Sequence, residues 1–428
     1  MNPPWSDRFS ALARRTHPPV ISWLMAQALE VPGLISLAAG FVDQSTLPSR
    51  EVESALLQAL AEADVVQSPL QYGTTYGDLA LRRLLVQRLR REEVWPFHTS
   101  LDENQVMVGS GSQQLLYLAC EALLDEGDIV LLEAPTYFVV LGAIAARGAR
   151  TIGLDTDADG LCPEALESSL ARLEAQGDLP RVKLLYLMTY ATNPLGVTLS
   201  PPRRRKVMDV LQTYRDRGFP ILLLEDAAYR RLCFSSQRPL PLKSLDESGD
   251  LVLYTESFSK SLSPGLRLGY AAGPSDLIAK MVDLKGNHDF GSANVSQQIA
   301  RILLASGAYD RHVEMLKACY AGKCALVQRL LDEQLPPEAS HLVPSGGFYT
   351  WIMLPPVVDT SPASRLFQQA LHEKVLYVPG CLCYSGDRPE SRFSSSLRLS
   401  FGMIDEARLE EGCRRLMRAL IHALAPVA

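Results

Sequence analysis

The chain has no excess of positive charge, because 42 lysines and arginines face 48 aspartates and glutamates and leave a net charge of −6. Nucleic-acid backbones bind basic surfaces, so nucleic acid is not expected as a partner. No apolar run approaches the roughly 18 residues needed to span a bilayer, so no membrane association is expected either. The early stretch from Val20 to Leu29 carries Ile21, Leu24, Met25, Ala28 and Leu29 at helical spacing, with Ser22 and Gln27 between them. It reads as an amphipathic arm rather than a signal peptide. The eight cysteines include no Cys-x-x-Cys pair and no nearby histidine cluster, and Cys381 and Cys383 are the closest two. A bound metal and a disulfide framework are therefore not expected, and a reducing cytoplasm is the setting that fits. Internal repeats and low-complexity tracts are also missing. What is present is 428 residues, 47% hydrophobic and 21% charged, enough for two or three domains with a sizeable core.

Chemistry-bearing residues cluster where apolar strands end. The run Leu251 to Tyr254 reads as a buried parallel strand, followed by Ser257-Phe-Ser259-Lys260 and then Arg267. Open α/β sheets keep their ligands just beyond the carboxyl ends of such strands. The Lys260 amine could form a Schiff base with a carbonyl cofactor, while Ser257, Ser259 and Arg267 offer the donors that a phosphate dianion needs. A solvated polar loop would also accommodate Ser-x-Ser-Lys, so the other strand ends matter. Val106-Met-Val-Gly109 leads through Gly111 to Ser112 and Gln113 at a helix start, where free amides favour an anion. Ser112 could equally be a plain helix cap. Pro220-Ile-Leu-Leu-Leu-Glu225-Asp226 ends a buried strand in a carboxylate. Such a group costs several kcal/mol in desolvation without a cationic partner.

These segments, taken in order, resemble the active-site motifs of the class I/II aminotransferases, the pyridoxal-phosphate enzymes of fold type I. The intervals Asn193 to Asp226 (33 residues), Asp226 to Tyr229 (3), Tyr229 to Lys260 (31) and Lys260 to Arg267 (7) match that family, and the resemblance covers about residues 30 to 402. It implies pyridoxal 5′-phosphate as cofactor, with Asp226 on the ring nitrogen, Tyr229 and Asn193 on the ring oxygen and Tyr137 stacked on the ring. Ser112, Gln113, Ser257, Ser259 and Arg267 would hold the phosphate, and Lys260 would carry the catalysis with Asp226 and Tyr229. Gly40 would lie over the substrate, and Arg398 would clamp its α-carboxylate bidentately. Tyr72, in Tyr72-Gly-Thr-Thr-Tyr-Gly77, would reach the phosphate of a neighbouring subunit, making the protein a homodimer with shared active sites. The family usually has a proline where this chain has Thr189 and a threonine where it has Leu195, which bears on the shape of the substrate pocket.

The fold so implied is α/β, with a mostly parallel seven-stranded sheet in a large domain and a smaller α+β domain. An N-terminal arm at 1–48, a large cofactor domain at 49–300 and a small domain at 301–428 are the expected divisions. Ser345-Gly-Gly-Phe-Tyr-Thr-Trp351 resembles the family's entrance to the small domain, with glycines that permit a bulge beside the substrate. Ser396 to Phe401 reads as an edge-facing strand bearing Arg398, and Ser385 to Ser396 as a polar, mobile loop. The implied activity moves an amino group from an α-amino acid to a 2-oxo acid, 2-oxoglutarate or pyruvate. The nearest subfamilies are the 2-aminoadipate and kynurenine types. A lyase, decarboxylase or oxidase with the same cofactor residues is the alternative, since these differ only in which Cα bond stands perpendicular to the ring.

Overall fold

The structure, a computed structural model, describes residues 5–18, 20–62, 68–96, 99–385 and 394–424. Its strands are β1 (Ile35–Ser36), β2 (Val106–Gly109), β3 (Ile129–Ala134), β4 (Arg150–Asp157), β5 (Gly160–Leu161), β6 (Val182–Met188) and β7 (Leu222–Asp226). They continue with β8 (Val252–Ser257), β9 (Gly269–Ala272), β10 (Ser340–His341), β11 (Tyr349–Met353), β12 (Val375–Leu376), β13 (Val378–Pro379) and β14 (Ser396–Ser400). The large sheet runs β2-β9-β8-β7-β6-β3-β4-β5. Its centre, β4 through β8 by way of β3, β6 and β7, is parallel, while β9 is antiparallel to both neighbours.

The sheet has eight strands rather than the seven expected. The extra one is β5, a two-residue partner that folds back antiparallel on β4 through the turn at Ala158 and Asp159. Two residues carry no periodicity, so the sequence pattern could not announce it. The central strands are apolar on both faces, as parallel strands covered by helices must be. Ile129 and Leu131 of β3 pack with Leu166 and Leu170 of helix Pro163–Ala175 and with Val207 and Leu211 of helix Pro201–Asp216. Val130 and Leu132 turn the other way, toward Leu115 and Leu116 of helix Ser112–Leu123 and Ile144 of helix Phe138–Arg147.

The small sheet, β10-β11-β14-β13, is antiparallel throughout. Here the edge-strand expectation for Ser396–Ser400 is corrected. β14 is interior, paired along its whole length with β11 and over two residues with β13, and all five of its residues are buried. The edge is taken by β13, whose Pro379 suits that position because it has no N–H to donate. The N-terminal arm is woven into this part of the chain. β1 pairs in parallel with β12, and the Ser400 amide donates to the Leu37 carbonyl, which brings Ala38 to Gly40 alongside β14. The polar loop expected at 385–396 lies mostly outside the described residues. None of the described helices is long and apolar enough to cross a membrane.

One close approach joins the sheet to the helix that starts at Ser112. Gly269 of β9 sits opposite both Gly109 and Ser257, and a Cβ there would lie 2.8 Å from the Ser112 nitrogen and 3.0 Å from the Glu256 carbonyl. Both are backbone atoms and cannot swing aside. Gly269→Ala is expected to destabilise the fold by about 1–3 kcal/mol through this overpacking, measured as a lower midpoint in equilibrium denaturation.

Candidate active site

Four strands deliver their last residues to one place. β7 ends in Asp226, β8 leads within three residues to Lys260, β3 leads through Pro135 and Thr136 to Tyr137, and β6 leads to Asn193. With the start of helix Ser112–Leu123, the arm at Gly40 and the small sheet's Tyr349 and Arg398, they enclose a cavity of about 340 Å³. That volume suits a small-molecule ligand.

One end of the cavity is built for an anion. Ser112 begins a twelve-residue helix whose first amides have no carbonyl partners in the helix. Arg267 closes this end, donating to the Ser110 carbonyl (3.1 Å) and the Ser259 hydroxyl (3.4 Å). Ser257 and Ser259 line the same wall, and the Ser257 hydroxyl accepts from the Ser259 amide at 3.2 Å. No carboxylate pairs with Arg267 among the described residues, so its charge stays available to a ligand.

At the centre stand Lys260 and Asp226. The Lys260 amine donates to the Gly40 carbonyl at 2.8 Å. Burial, reinforced by the charges of Arg398 and Arg267, lowers its pKa to about 8, which makes neutral, nucleophilic amine accessible. The Asp226 carboxylate accepts from the Tyr186 hydroxyl (3.0 Å) and the Ala228 amide (3.1 Å). Burial raises its pKa to about 6 against the opposing effect of those two bonds. Tyr186 pairs with Leu224 across the sheet, two residues before Asp226 and so on the same face, which is why its phenol reaches the carboxylate. Among the described residues no cationic side chain pairs with Asp226.

The far end is organised by Arg398, which is 1% exposed. Its guanidinium donates to the Asn193 side-chain oxygen (2.7 Å) and the Ala38 carbonyl (2.6 Å), while its Nε is buried with no partner. It stacks 4.3 Å from the ring centre of Tyr349. A buried guanidinium bonded only to neutral oxygens is a carboxylate site in waiting. The bond to Arg398 takes the carbonyl of Asn193 and leaves the amide NH₂ as its donor. Tyr229, fully enclosed, donates to the Tyr349 hydroxyl at 3.0 Å.

Of the residues singled out from the sequence, Gly40, Ser112, Gln113, Tyr137, Asn193, Asp226, Tyr229, Ser257, Ser259, Lys260, Arg267 and Arg398 all line this cavity. Tyr72 does not. It is 84% exposed, edge-on to Phe290 at 5.7 Å, beside a separate surface hollow. Tyr186 and Tyr349 were missed. Tyr186 lies mid-strand in an apolar run, and Tyr349 follows the two glycines and Phe348 that drew attention instead. The departures Thr189 and Leu195 are buried and neither lines the cavity.

Comparison with known proteins bears on this geometry. The family profile described as Aminotransferase class I and II matches residues 32–416. The chain is 32% identical over 425 residues to the 2-aminoadipate transaminase of Thermus thermophilus, with 99% of each chain covered. In fold it is similar to the multiple substrate aminotransferase from Thermococcus profundus, with a TM-score of 0.89, 29% identity and 99% of each chain covered. It is similar to the same degree (TM-score 0.89, 29% identity, 98% of each chain) to the Pyrococcus horikoshii kynurenine aminotransferase, solved with PMP.

The raised pKa of Asp226 carries a stability consequence. Between its ordinary value of 3.8 and about 6 the folded chain holds this proton more tightly than the unfolded chain, so stability falls as pH rises through that window. Asp226→Asn should therefore stabilise the ligand-free protein above pH 6, by on the order of 3 kcal/mol at most, and lose that advantage below pH 4. Denaturation of both proteins across pH 4–8 measures it.

Proposed function

The chain belongs to the class I and II aminotransferases, and from that premise we propose how its residues divide the work of moving an amino group from an α-amino acid to a 2-oxo acid. The family works with pyridoxal 5′-phosphate, and the cavity fits it. The free amides at the start of helix Ser112–Leu123 and Arg267, which has no carboxylate partner among the described residues, suit the phosphate end, and the buried Asp226 lacks the cation that a protonated ring nitrogen provides. When bound, the cofactor supplies an electron-poor ring that accepts the electron pair released at the substrate's Cα.

Everything else falls to the chain. Ser112, Gln113, Ser257, Ser259 and Arg267 hold the phosphate, and Tyr137 covers the ring face. Asp226 keeps the ring nitrogen protonated. Tyr229 and the Asn193 amide address the ring oxygen. Lys260 would hold the cofactor through its amine, and that amine, when free, would serve as the base that takes the proton from the substrate's Cα. A base with a pKa near 8 is matched to that task at neutral pH. Arg398 binds the α-carboxylate through its guanidinium, and Gly40 lies over the substrate.

The observation that carries this reading is that Lys260, Arg267, Arg398 and Asp226 share one cavity and none of them is paired with an opposite charge among the described residues. Three cations against one carboxylate call for a ligand pair that is strongly anionic, as a phosphate and an α-carboxylate are.

The same cavity narrows the donor. Its remaining walls are Phe41, Gly111, Phe138, Val139, Met188, Ala228, Pro264 and Tyr349, and no fourth cation lines it among the described residues. We assign donors with aromatic or aliphatic side chains, in line with the kynurenine aminotransferase and unlike the 2-aminoadipate transaminase, whose named substrate carries a second carboxylate; of the two acceptors, 2-oxoglutarate or pyruvate, the same absence favours pyruvate. In the division we adopt, residues 49–300 hold the cofactor, while the arm at 1–48 and the small domain at 301–428 bring Gly40, Tyr349 and Arg398 over the substrate. The reading includes a homodimer in which the exposed Tyr72 reaches the partner's phosphate, and a cytoplasmic setting that suits eight free thiols.

Borohydride reduction of the holoenzyme should fix the cofactor on the peptide containing Lys260, and Lys260→Ala should abolish both that adduct and turnover. An adduct on any other peptide would overturn the assignment. Arg398→Lys replaces a planar fork by a point charge. It should raise KM for the amino acid about ten- to a hundredfold in steady-state assays while the cofactor's absorption stays normal.

A further inference from the structure

Two buried phenols stand between the groups assigned to the cofactor and the group assigned to the substrate. Tyr229 belongs to the segment after β7, and Tyr349 opens β11. Their hydroxyls are 3.0 Å apart and their rings meet edge to face at 5.6 Å. Tyr349 is also diagonal to Arg398 across the β11–β14 pair, since Arg398 sits opposite Trp351, two residues on and on the same face. The Arg398 guanidinium accordingly lies over the Tyr349 ring, 4.3 Å from its centre. On its third side the Tyr349 hydroxyl presses so closely against Gly40 that a Cβ at position 40 would collide with it. The Gly40 carbonyl, in turn, holds the Lys260 amine.

Counting hydrogens makes this more than packing. Two phenols carry two O–H groups, and the pair uses one of them internally. Tyr229 donates to Tyr349, and the Tyr349 hydrogen has no acceptor recorded among the described residues. Hydroxyl rotors turn freely, so the pair can reverse, with Tyr349 donating to Tyr229 and Tyr229 turning its own hydrogen into the cavity. A donor that itself accepts a hydrogen bond is polarised and donates more strongly. The other titratable or charged groups facing the pair are Arg398, Tyr137 and Cys383, with Lys260 beyond Gly40. Burial raises both phenols above their ordinary range, so both remain protonated at working pH and the spare hydrogen persists.

We propose that Tyr349 is a positioning residue for transamination, one that turns the Tyr229 hydroxyl toward the cofactor's ring oxygen and at the same time supports the carboxylate-binding face of Arg398. This rests on the assignment of Tyr229 to the ring oxygen. A donor to that oxygen favours its ionised form, so weakening the donor raises the pH at which the bound cofactor's visible absorption changes.

The test is a pH titration of that absorption in the holoenzyme, with steady-state kinetics, for Tyr349→Phe, Tyr349→Leu and Tyr229→Phe. Tyr349→Phe keeps the ring under Arg398 and removes only the hydroxyl. It should raise the midpoint by about half a unit and lower kcat roughly fivefold, with KM for the amino acid little changed. Tyr349→Leu should add a severalfold rise in KM, because Arg398 loses its ring. Tyr229→Phe should move the midpoint further in the same direction. If Tyr229→Phe moves the midpoint while Tyr349→Phe leaves both midpoint and kcat at the wild-type values, the role given to Tyr349 is wrong and the assignment of Tyr229 stands. If Tyr229→Phe leaves the midpoint unmoved, the assignment of Tyr229 fails and the role of Tyr349 fails with it.

Discussion

The site depends on keeping charges apart. Asp226, Lys260, Arg267 and Arg398 line one cavity, yet each is satisfied by neutral groups: a phenol and an amide for Asp226, the Gly40 carbonyl for Lys260, the Ser110 carbonyl for Arg267, and Asn193 with the Ala38 carbonyl for Arg398. Left free, a lysine and an aspartate in a low-dielectric pocket would collapse into a pair and neutralise the chemistry of both. The neutral partners lie on β6 (Tyr186), on the arm tied down by β1 (Ala38, Gly40) and in the short segments that follow β2, β6 and β7 (Ser110, Asn193, Ala228), and they hold the charges apart. The desolvation cost that remains at the buried Asp226 and Arg398, several kcal/mol per ion, is what a ligand bearing a protonated ring nitrogen and a carboxylate relieves.

Directly behind the cavity the opposite solution is used. Glu256, one strand over from Asp226, accepts from Arg231 (2.6 Å) and from the hydroxyls of Tyr254 and Tyr270. Glu92 accepts from Arg230 and Arg231 and pairs with Arg88, which pairs with Asp310. Burial alone would raise both glutamates, but the surrounding arginine charges hold them below the usual carboxylate range. Two carboxylates on neighbouring strands thus titrate in opposite directions because one has cations and the other phenol and amide. The paired cluster joins the segment immediately after Tyr229 to β8 and to helix Leu79–Arg91, so the same residues that are neutralised behind the site fix Tyr229 in front of it. Pairs of this kind contribute little net stability, and their use here is to hold geometry.

Much of this was legible in the order of residues, for a physical reason. A buried parallel strand is a continuous apolar run, so its last residue is marked by the first polar group, and Asp226, Lys260 and Asn193 follow such runs within a few positions. Ser112 and Gln113 were readable because a strand, a Gly-rich turn and a helical period succeed one another there. Tyr186 and Tyr349 were not, because what makes them part of the site is cross-strand register, and register is a relation between distant segments. The same reason hid the interior position of β14, since five alternating residues look alike whether one neighbour pairs with them or two. Tyr72 matched by motif alone, and its exposed ring lies edge-on to Phe290 rather than at the cavity.

The two departures from the family pattern show how a pocket tolerates change. Thr189 stands where a proline is usual, and its hydroxyl points away from the cavity, donating to the buried Glu225 at 2.8 Å. That carboxylate also accepts from the amides of Leu242 and Lys243, and the Thr189 carbonyl accepts from Arg204, whose guanidinium lies 3.5 Å from Glu225. A proline carries no hydroxyl, so its place in this network would be lost and Glu225 would keep fewer donors. Leu195 is buried in the apolar cluster that also contains Val197 and Tyr229, and is 5% exposed. Both substitutions are thus absorbed by the layer behind Asn193, one by hydrogen bonding and one by packing. Asn193 keeps its bond to Arg398 between them and lines the cavity beside Tyr349 and the arm.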